Sequence, residues 1–95
     1  MSAVPTVDLA AVKVRQQATW ASGDFARVAT LIVPMAEILC DAADLRAGSK
    51  VLDVACGSGN GAIAAARLNC DVTGVDYVPA LLDRARERAA AEAEA

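Results

Sequence analysis

Residues 50–61, KVLDVACGSGNG, decide the fold of this chain. Aliphatic residues at 51–54 favour a short buried strand, and the alanine-rich residues 62–66 favour a helix. Between them, Gly57 and Gly59 have no Cβ, so the backbone can take positive φ and a ligand can approach it closely. The free N–H groups of a helix that follows such a turn suit anionic or polar ligand groups. The stretch therefore predicts a strand, a tight turn and a helix, with the turn as a cofactor-binding loop.

A second strand and helix follow the first pair. Residues 71–76, DVTGVD, predict a short strand that ends in an acid, and Pro79 suits the first turn of another helix. This alternation predicts parallel strands joined by a right-handed crossover. Asp76 then lies beside the glycine loop, where its carboxylate can accept hydrogen bonds from the hydroxyls of a ribose. The other interpretation of Asp76 is an acid that stabilises a helix N-terminus.

The residues before the first strand predict helices near 8–19, 24–33 and 34–45. The last two share one apolar face, which Pro34 interrupts. Trp20 and Phe25 flank a Gly-Asp turn, and they either pin a helix connection to the core or line the mouth of a pocket. We expect residues 1–48 to form an N-terminal helical segment and residues 49–95 to form the first half of an α/β cofactor-binding domain, which stops before a third strand.

Composition excludes several classes of function. The net charge is −3 and no basic stripe is interleaved with aromatic residues, which argues against nucleic-acid binding. There is no histidine, and the three cysteines form no CxxC pair, so neither a metal site nor a disulfide framework is expected. No signal peptide or membrane span is indicated. We expect a soluble, cytoplasmic protein with no membrane partner.

Two cofactor classes use a glycine loop of this kind. Residues 57–62 satisfy the GxGxxG/A fingerprint, so an NAD(P)- or FAD-binding Rossmann oxidoreductase is one interpretation. Such an enzyme ordinarily places the first glycine directly after an apolar strand. Here residues 53–56, DVAC, intervene, and the acid inside the strand argues against this class.

The same residues resemble another family. Residues 51–60 resemble motif I of the class I S-adenosylmethionine-dependent methyltransferases, and residues 72–77 resemble the next motif of that family, with its ribose-binding acid. Residues 79–85 are similar to the helix that follows. The stretch at 20–25, WASGDF, resembles more loosely the N-terminal segment of the ubiquinone/menaquinone-biosynthesis-type branch, which folds over the methionine end of the cofactor.

This resemblance implies the N-terminal portion of a Rossmann-like α/β methyltransferase fold, with S-adenosylmethionine as cofactor and a small molecule as methyl acceptor. It implies that Gly57 and Gly59 lie against the cofactor backbone and that Asp53 orients the loop and the amino-acid end. Asp76 would hold the ribose, and Tyr77 would pack near adenine. The residues expected to bind the cofactor are Trp20, Phe25, Asp53, Ala55, Cys56, Gly57, Ser58, Gly59, Asp76 and Tyr77. No residue is a convincing base, so no catalytic residue is assigned.

Two strands cannot form a parallel sheet with both faces covered. The chain therefore resembles the front of a larger domain, an N-terminal fragment that is inactive as a transferase on its own. A third interpretation follows, in which the chain is a non-catalytic fragment that self-associates or exchanges strands through the open edge of its first strand.

Overall fold

The computed structural model describes residues 6–94, and its elements alternate as expected after an N-terminal helical segment. Helix α1 (Leu9–Ala21) begins after Asp8, whose carboxylate accepts a hydrogen bond from the Ala11 N–H at 3.1 Å. Such a cap satisfies one of the free donors at the helix start. Helix α1 therefore begins near the expected position and ends two residues later than predicted.

The apolar stretch after the Gly-Asp turn divides into three short pieces. Helix α2 (Phe25–Ala29) continues into a 3-10 turn (Thr30–Ile32), and helix α3 (Val33–Ala42) begins with Pro34 in its first turn. A proline is tolerated there because the first-turn N–H groups have no partner within the helix. Compared with the predicted helices 24–33 and 34–45, the second helix is shorter and the third ends three residues earlier.

Two parallel strands and two helices follow. Strands β1 (Lys50–Val54) and β2 (Asp71–Val75) pair with Val51 opposite Val72. Helix α4 (Asn60–Arg67) connects the strands, and helix α5 (Pro79–Glu94) follows β2. This arrangement confirms the predicted Rossmann-like α/β fold, of which one strand–helix–strand–helix unit is present.

The core is built from small side chains. Ala36 and Cys40 of α3 are buried against Ala64 and Ala65 of α4. Small side chains let the two helix backbones approach closely. Because the contact runs through Ala36 and Cys40, the larger apolar residues of the same segment lie elsewhere.

The apolar face that the helical periodicity defines is therefore not the buried one. Met35 is 66% exposed and Leu39 is 65% exposed, and Val28 and Ile32 are also exposed. The spacing of apolar residues predicts an apolar helix face. Which face is buried depends on how closely the neighbouring helix approaches.

Among residues 6–94, the packed elements cover one side of the sheet. The face that carries Val51 and Val72 packs against the core formed by α3 and α4. On the opposite face, Leu52 is 62% exposed and Val54 is 69% exposed. Between residues 6 and 94, no helix combines the length and apolar character that a membrane crossing requires.

Candidate cofactor-binding site

The glycine loop leaves β1 through a sharp turn. Ala55, Gly57 and Gly59 all adopt positive φ, at 56°, 55° and 97°. The Cys56 N–H donates to the Val75 carbonyl at 3.0 Å and the Gly59 N–H donates to the Cys56 carbonyl at 2.9 Å. These bonds curl the backbone at the end of the sheet and direct it into α4.

A cavity of about 370 Å³ lies against this loop. Its volume is in the range of small-molecule sites. The loop, the N-terminal aromatic residues and the start of α5 supply its lining: Trp20, Phe25, Ala29, Ala55, Cys56, Gly57, Ser58, Asn60, Asp76, Tyr77 and Leu81. The structure thus brings together eight of the ten residues expected from the sequence; Asp53 and Gly59 do not line this cavity.

Asp76 connects the loop to α5. Its Oδ2 accepts a hydrogen bond from the Gly57 N–H at 2.9 Å, and its Oδ1 accepts one from the Val78 N–H at 2.9 Å. The second bond closes the turn that leads into α5. A carboxylate can accept about four hydrogen bonds, so about two acceptor positions remain for a ligand.

The aromatic pair lies over the cavity. The Trp20 and Phe25 rings meet edge to face with their centroids 5.1 Å apart. Gln17 of α1, which the sequence did not single out, donates its side-chain amide to the Tyr77 carbonyl. This contact holds α1 beside the loop, and Trp20 and Phe25 both line the cavity.

Gly59 serves packing. It is buried, and a Cβ on it would lie 3.3 Å from the Ala85 Cβ and 3.3 Å from the Ile63 Cδ1. Gly59 does not line the cavity, and the side on which a Cβ would stand faces α5; its expected contact with a cofactor stays a prediction. At Gly57, by contrast, a Cβ would meet nothing within 4 Å.

Asp53 lies under the first turn of α4. Its Oδ2 is 3.0 Å from where a Cβ of Gly61 would be. Burial raises the pKa of the Asp53 carboxyl, the Ala62 N–H lowers it, and the Asp76 carboxylate raises it further. Asp53 therefore supports the start of α4 and lies outside the cavity lining.

Cys56 lines the cavity. Burial, followed by the charges of Asp53 and Asp76, raises the pKa of its thiol. The thiolate is the reactive form of cysteine, and these surroundings disfavour it. The cavity thus offers backbone groups, a carboxylate and aromatic surface for binding.

Comparison with known proteins agrees with this geometry. Residues 51–95 match the family model of a methyltransferase domain. The chain is 44% identical over 88 residues to uncharacterized protein Rv1403c of Mycobacterium tuberculosis (strain ATCC 25618 / H37Rv), covering 92% of this chain and 32% of that protein. It is also 44% identical over 75 residues to uncharacterized protein Rv1405c of the same strain, covering 78% of this chain and 27% of that protein.

A more distant relative carries a functional name. The chain is 46% identical over 44 residues to the 23S rRNA (uracil(1939)-C(5))-methyltransferase RlmD of Shewanella sp. (strain ANA-3), covering 46% of this chain and 10% of that protein. The chain thus spans about a third, or less, of the length of these curated relatives. The family match and the Rossmann-like geometry together support a methyltransferase domain in residues 51–95.

Proposed function

We propose that this chain supplies the S-adenosylmethionine-binding part of a methyltransferase that acts on a small molecule. One observation carries the proposal. Asp76 faces the cavity with acceptor positions to spare, beside Gly57, whose surface is open. A cofactor with a ribose and an extended amino-acid chain needs such a carboxylate and such an open backbone.

The lining residues fit that cofactor. Asp76 would accept hydrogen bonds from the ribose hydroxyls while it keeps its bonds to Gly57 and Val78. Tyr77 would contact adenine, and Trp20 and Phe25 would cover the methionine end. When bound, the cofactor supplies a methyl group on a sulfonium, and the protein accelerates transfer chiefly by holding donor and acceptor close and aligned.

A small acceptor agrees with the charge of the chain. RlmD is named for methylation of 23S rRNA. A protein that binds RNA gains most of its affinity from Lys and Arg at phosphates, whereas this chain carries a net charge of −3. Within the methyltransferases we favour the ubiquinone/menaquinone-biosynthesis-type branch; the presence of Trp20 and Phe25 in the cavity lining supports this choice.

We further propose that the chain alone does not transfer methyl groups. The described sheet has two strands, and the chain spans 32% of Rv1403c. The cavity offers a cofactor surface without a base. A reducing compartment such as the cytoplasm is supported by the free thiols of Cys40, Cys56 and Cys70.

Calorimetric titration of the chain with S-adenosylhomocysteine, and separately with NAD, tests this proposal. Asp76→Asn should bind S-adenosylhomocysteine about 10- to 100-fold more weakly, the range expected for lost hydrogen bonds to a charged group. Asp71→Asn is a matched control, because Asp71 is exposed at the other end of the same strand. Binding of NAD in preference to S-adenosylhomocysteine would replace the proposal with an oxidoreductase, and failure of a folded chain to bind S-adenosylhomocysteine would refute it.

The open side of the sheet favours a second candidate, self-association. Leu52 and Val54 are exposed on one face, and within the described residues β1 pairs only with β2. Unpaired strand edges are templates for association with another chain. Light scattering at micromolar concentration should therefore show an oligomer that Leu52→Lys disrupts; a monodisperse wild-type monomer would exclude this candidate.

A further inference from the structure

One arginine of α5 contacts the glycine loop directly. The Nη1 of Arg88 donates to the Ser58 carbonyl at 2.9 Å, and the Ser58 Oγ lies 3.3 Å away. The same nitrogen donates to the Asn60 Oδ1 at 2.8 Å. Ser58 is only 4% exposed, so its oxygens depend on protein partners for hydrogen bonds.

This contact distinguishes Arg88 from its neighbours on the helix. Arg84 pairs with Asp24 at 3.5 Å, and Arg86 pairs with Asp83 at 3.1 Å, in both cases between exposed side chains. A run of charged residues such as 83–88 is by itself typical of a solvated helix face. Arg88 departs from that pattern, because it is half-buried and its guanidinium is directed at the loop.

The contact continues through Asn60 to the other side of the cavity. The Asn60 Nδ2 donates to the Ala29 carbonyl at 2.9 Å, at the end of α2. Since the Asn60 Oδ1 accepts from Arg88, the orientation of the side-chain amide is set at both ends. Arg88 is thus the first member of a chain of hydrogen bonds that runs from α5 through the loop to α2.

Beyond Arg88, the members of this chain of bonds belong to the cavity wall. Ala29, Ser58 and Asn60 all line it, and α2 also carries Phe25. The peptide that Arg88 holds at Ser58 lies between Gly57 and Gly59, so its orientation sets how the loop backbone faces the cavity. A charge-assisted hydrogen bond to a buried carbonyl is among the stronger constraints on a loop.

We propose that Arg88 is a positioning residue of the cofactor site, which fixes the shape of the glycine loop and holds α2 over the cavity through Asn60. The proposal rests on the proposed function for the identity of the ligand. It adds a residue outside the cavity whose loss lowers cofactor affinity without removing a ligand contact.

Amide hydrogen exchange of the ligand-free chain is the primary test, since it does not depend on the ligand. In Arg88→Ala, the amides of Gly57 and Gly59 should exchange at least about tenfold faster, because loss of one strong bond corresponds to about that factor. Amides of the β1–β2 ladder should keep their rates. Arg88→Lys, which keeps the charge and several donors, should restore part of the protection.

Arg86→Ala is the matched control, because Arg86 lies half a turn away on the same helix and contacts an exposed acid. It should leave the loop amides unchanged. The affinity for S-adenosylhomocysteine should fall about tenfold in Arg88→Ala and stay unchanged in Arg86→Ala.

The outcomes separate the two proposals. Unchanged loop exchange in Arg88→Ala, or equally faster exchange in the strands, would overturn the positioning role. A second outcome is faster exchange in Arg88→Ala that is confined to the loop amides, together with a wild-type chain that does not bind S-adenosylhomocysteine. That outcome would refute the proposed function and leave the positioning role standing. Should Arg88→Ala fail to fold, the comparison of Arg88→Lys with the wild type decides by the same loop amides.

Discussion

Replacing Gly57 with alanine tests whether this glycine is needed for ligand contact or for folding. Its φ is 55°, and a Cβ there would meet no protein atom within 4 Å. A side chain in the left-handed region costs about 1–2 kcal/mol. Alanine also lowers the conformational entropy of the unfolded chain, which stabilises the folded state by about 0.4–1 kcal/mol. We therefore expect Gly57→Ala to lower the free energy of unfolding by about 1 kcal/mol.

The loop already tolerates this conformation, since Ala55 occupies it at φ 56°. The effect on binding should be larger than the effect on stability. Gly57 lines the cavity and its Cβ position is open, so we expect the added methyl group to take space that the proposed ligand needs. Affinity for S-adenosylhomocysteine should fall at least about tenfold, or 1.4 kcal/mol.

Gly48→Ala is the control for this experiment. Gly48 also has positive φ, at 84°, and a Cβ there would also meet nothing within 4 Å, but it lies in the turn before β1 and does not line the cavity. Urea unfolding should show a similar loss of stability for both variants, and calorimetry should show weaker binding only for Gly57→Ala. Equal affinity in the two variants would refute the assignment of Gly57 to the ligand surface.

Three further changes test the packing around the loop. Gly59→Ala should destabilise the chain by about 2 kcal/mol or more in urea unfolding, because strain at φ 97° adds to a 3.3 Å contact with the Ala85 Cβ. An unchanged free energy of unfolding would contradict the packing role of Gly59. Gly74→Ala would place a Cβ 2.8 Å from the Cys56 Sγ, so it should cost about 1–3 kcal/mol, and the added change Cys56→Ala should recover most of that loss. Burial raises the pKa of Asp53 in the folded state, so protonation of this carboxyl stabilises the fold. That stabilisation is fully present below the pKa of the unfolded state and is lost as pH rises through the pKa of the folded state. Asp53→Asn should therefore increase stability at pH 7 and give no increase at pH 3 in urea titrations, and an equal increase at both values would contradict the sign of the shift.

The local features of the site could be predicted from the sequence because short-range chemistry sets them. Strand β1, the glycine turn and the acid at the end of β2 follow from residue types at fixed spacing. Gly57 and Asp76 therefore lie where the pattern requires. The pattern could not distinguish Gly57 from Gly59, because that difference depends on where α5 places Ala85.

The remaining errors have the same origin in tertiary contacts. Met35 and Leu39 fit an apolar helical face, yet α3 packs through Ala36 and Cys40 because small side chains permit a closer approach. Arg88 fits a charged face, yet the oxygens of a loop 30 residues earlier in the sequence provide a better partner than water. Neither outcome leaves a signal in the spacing of nearby residues.

The position of Trp20 has a practical consequence. It is the single tryptophan of the chain, it lies at the cavity wall beside Phe25, and its side chain is about half exposed. An indole in that place emits from a partly aqueous environment, and a ligand that displaces the surrounding water should shift its fluorescence to shorter wavelength. The chain therefore carries an intrinsic optical reporter of whether its site is filled, and occupancy can be followed in stopped-flow mixing without any label.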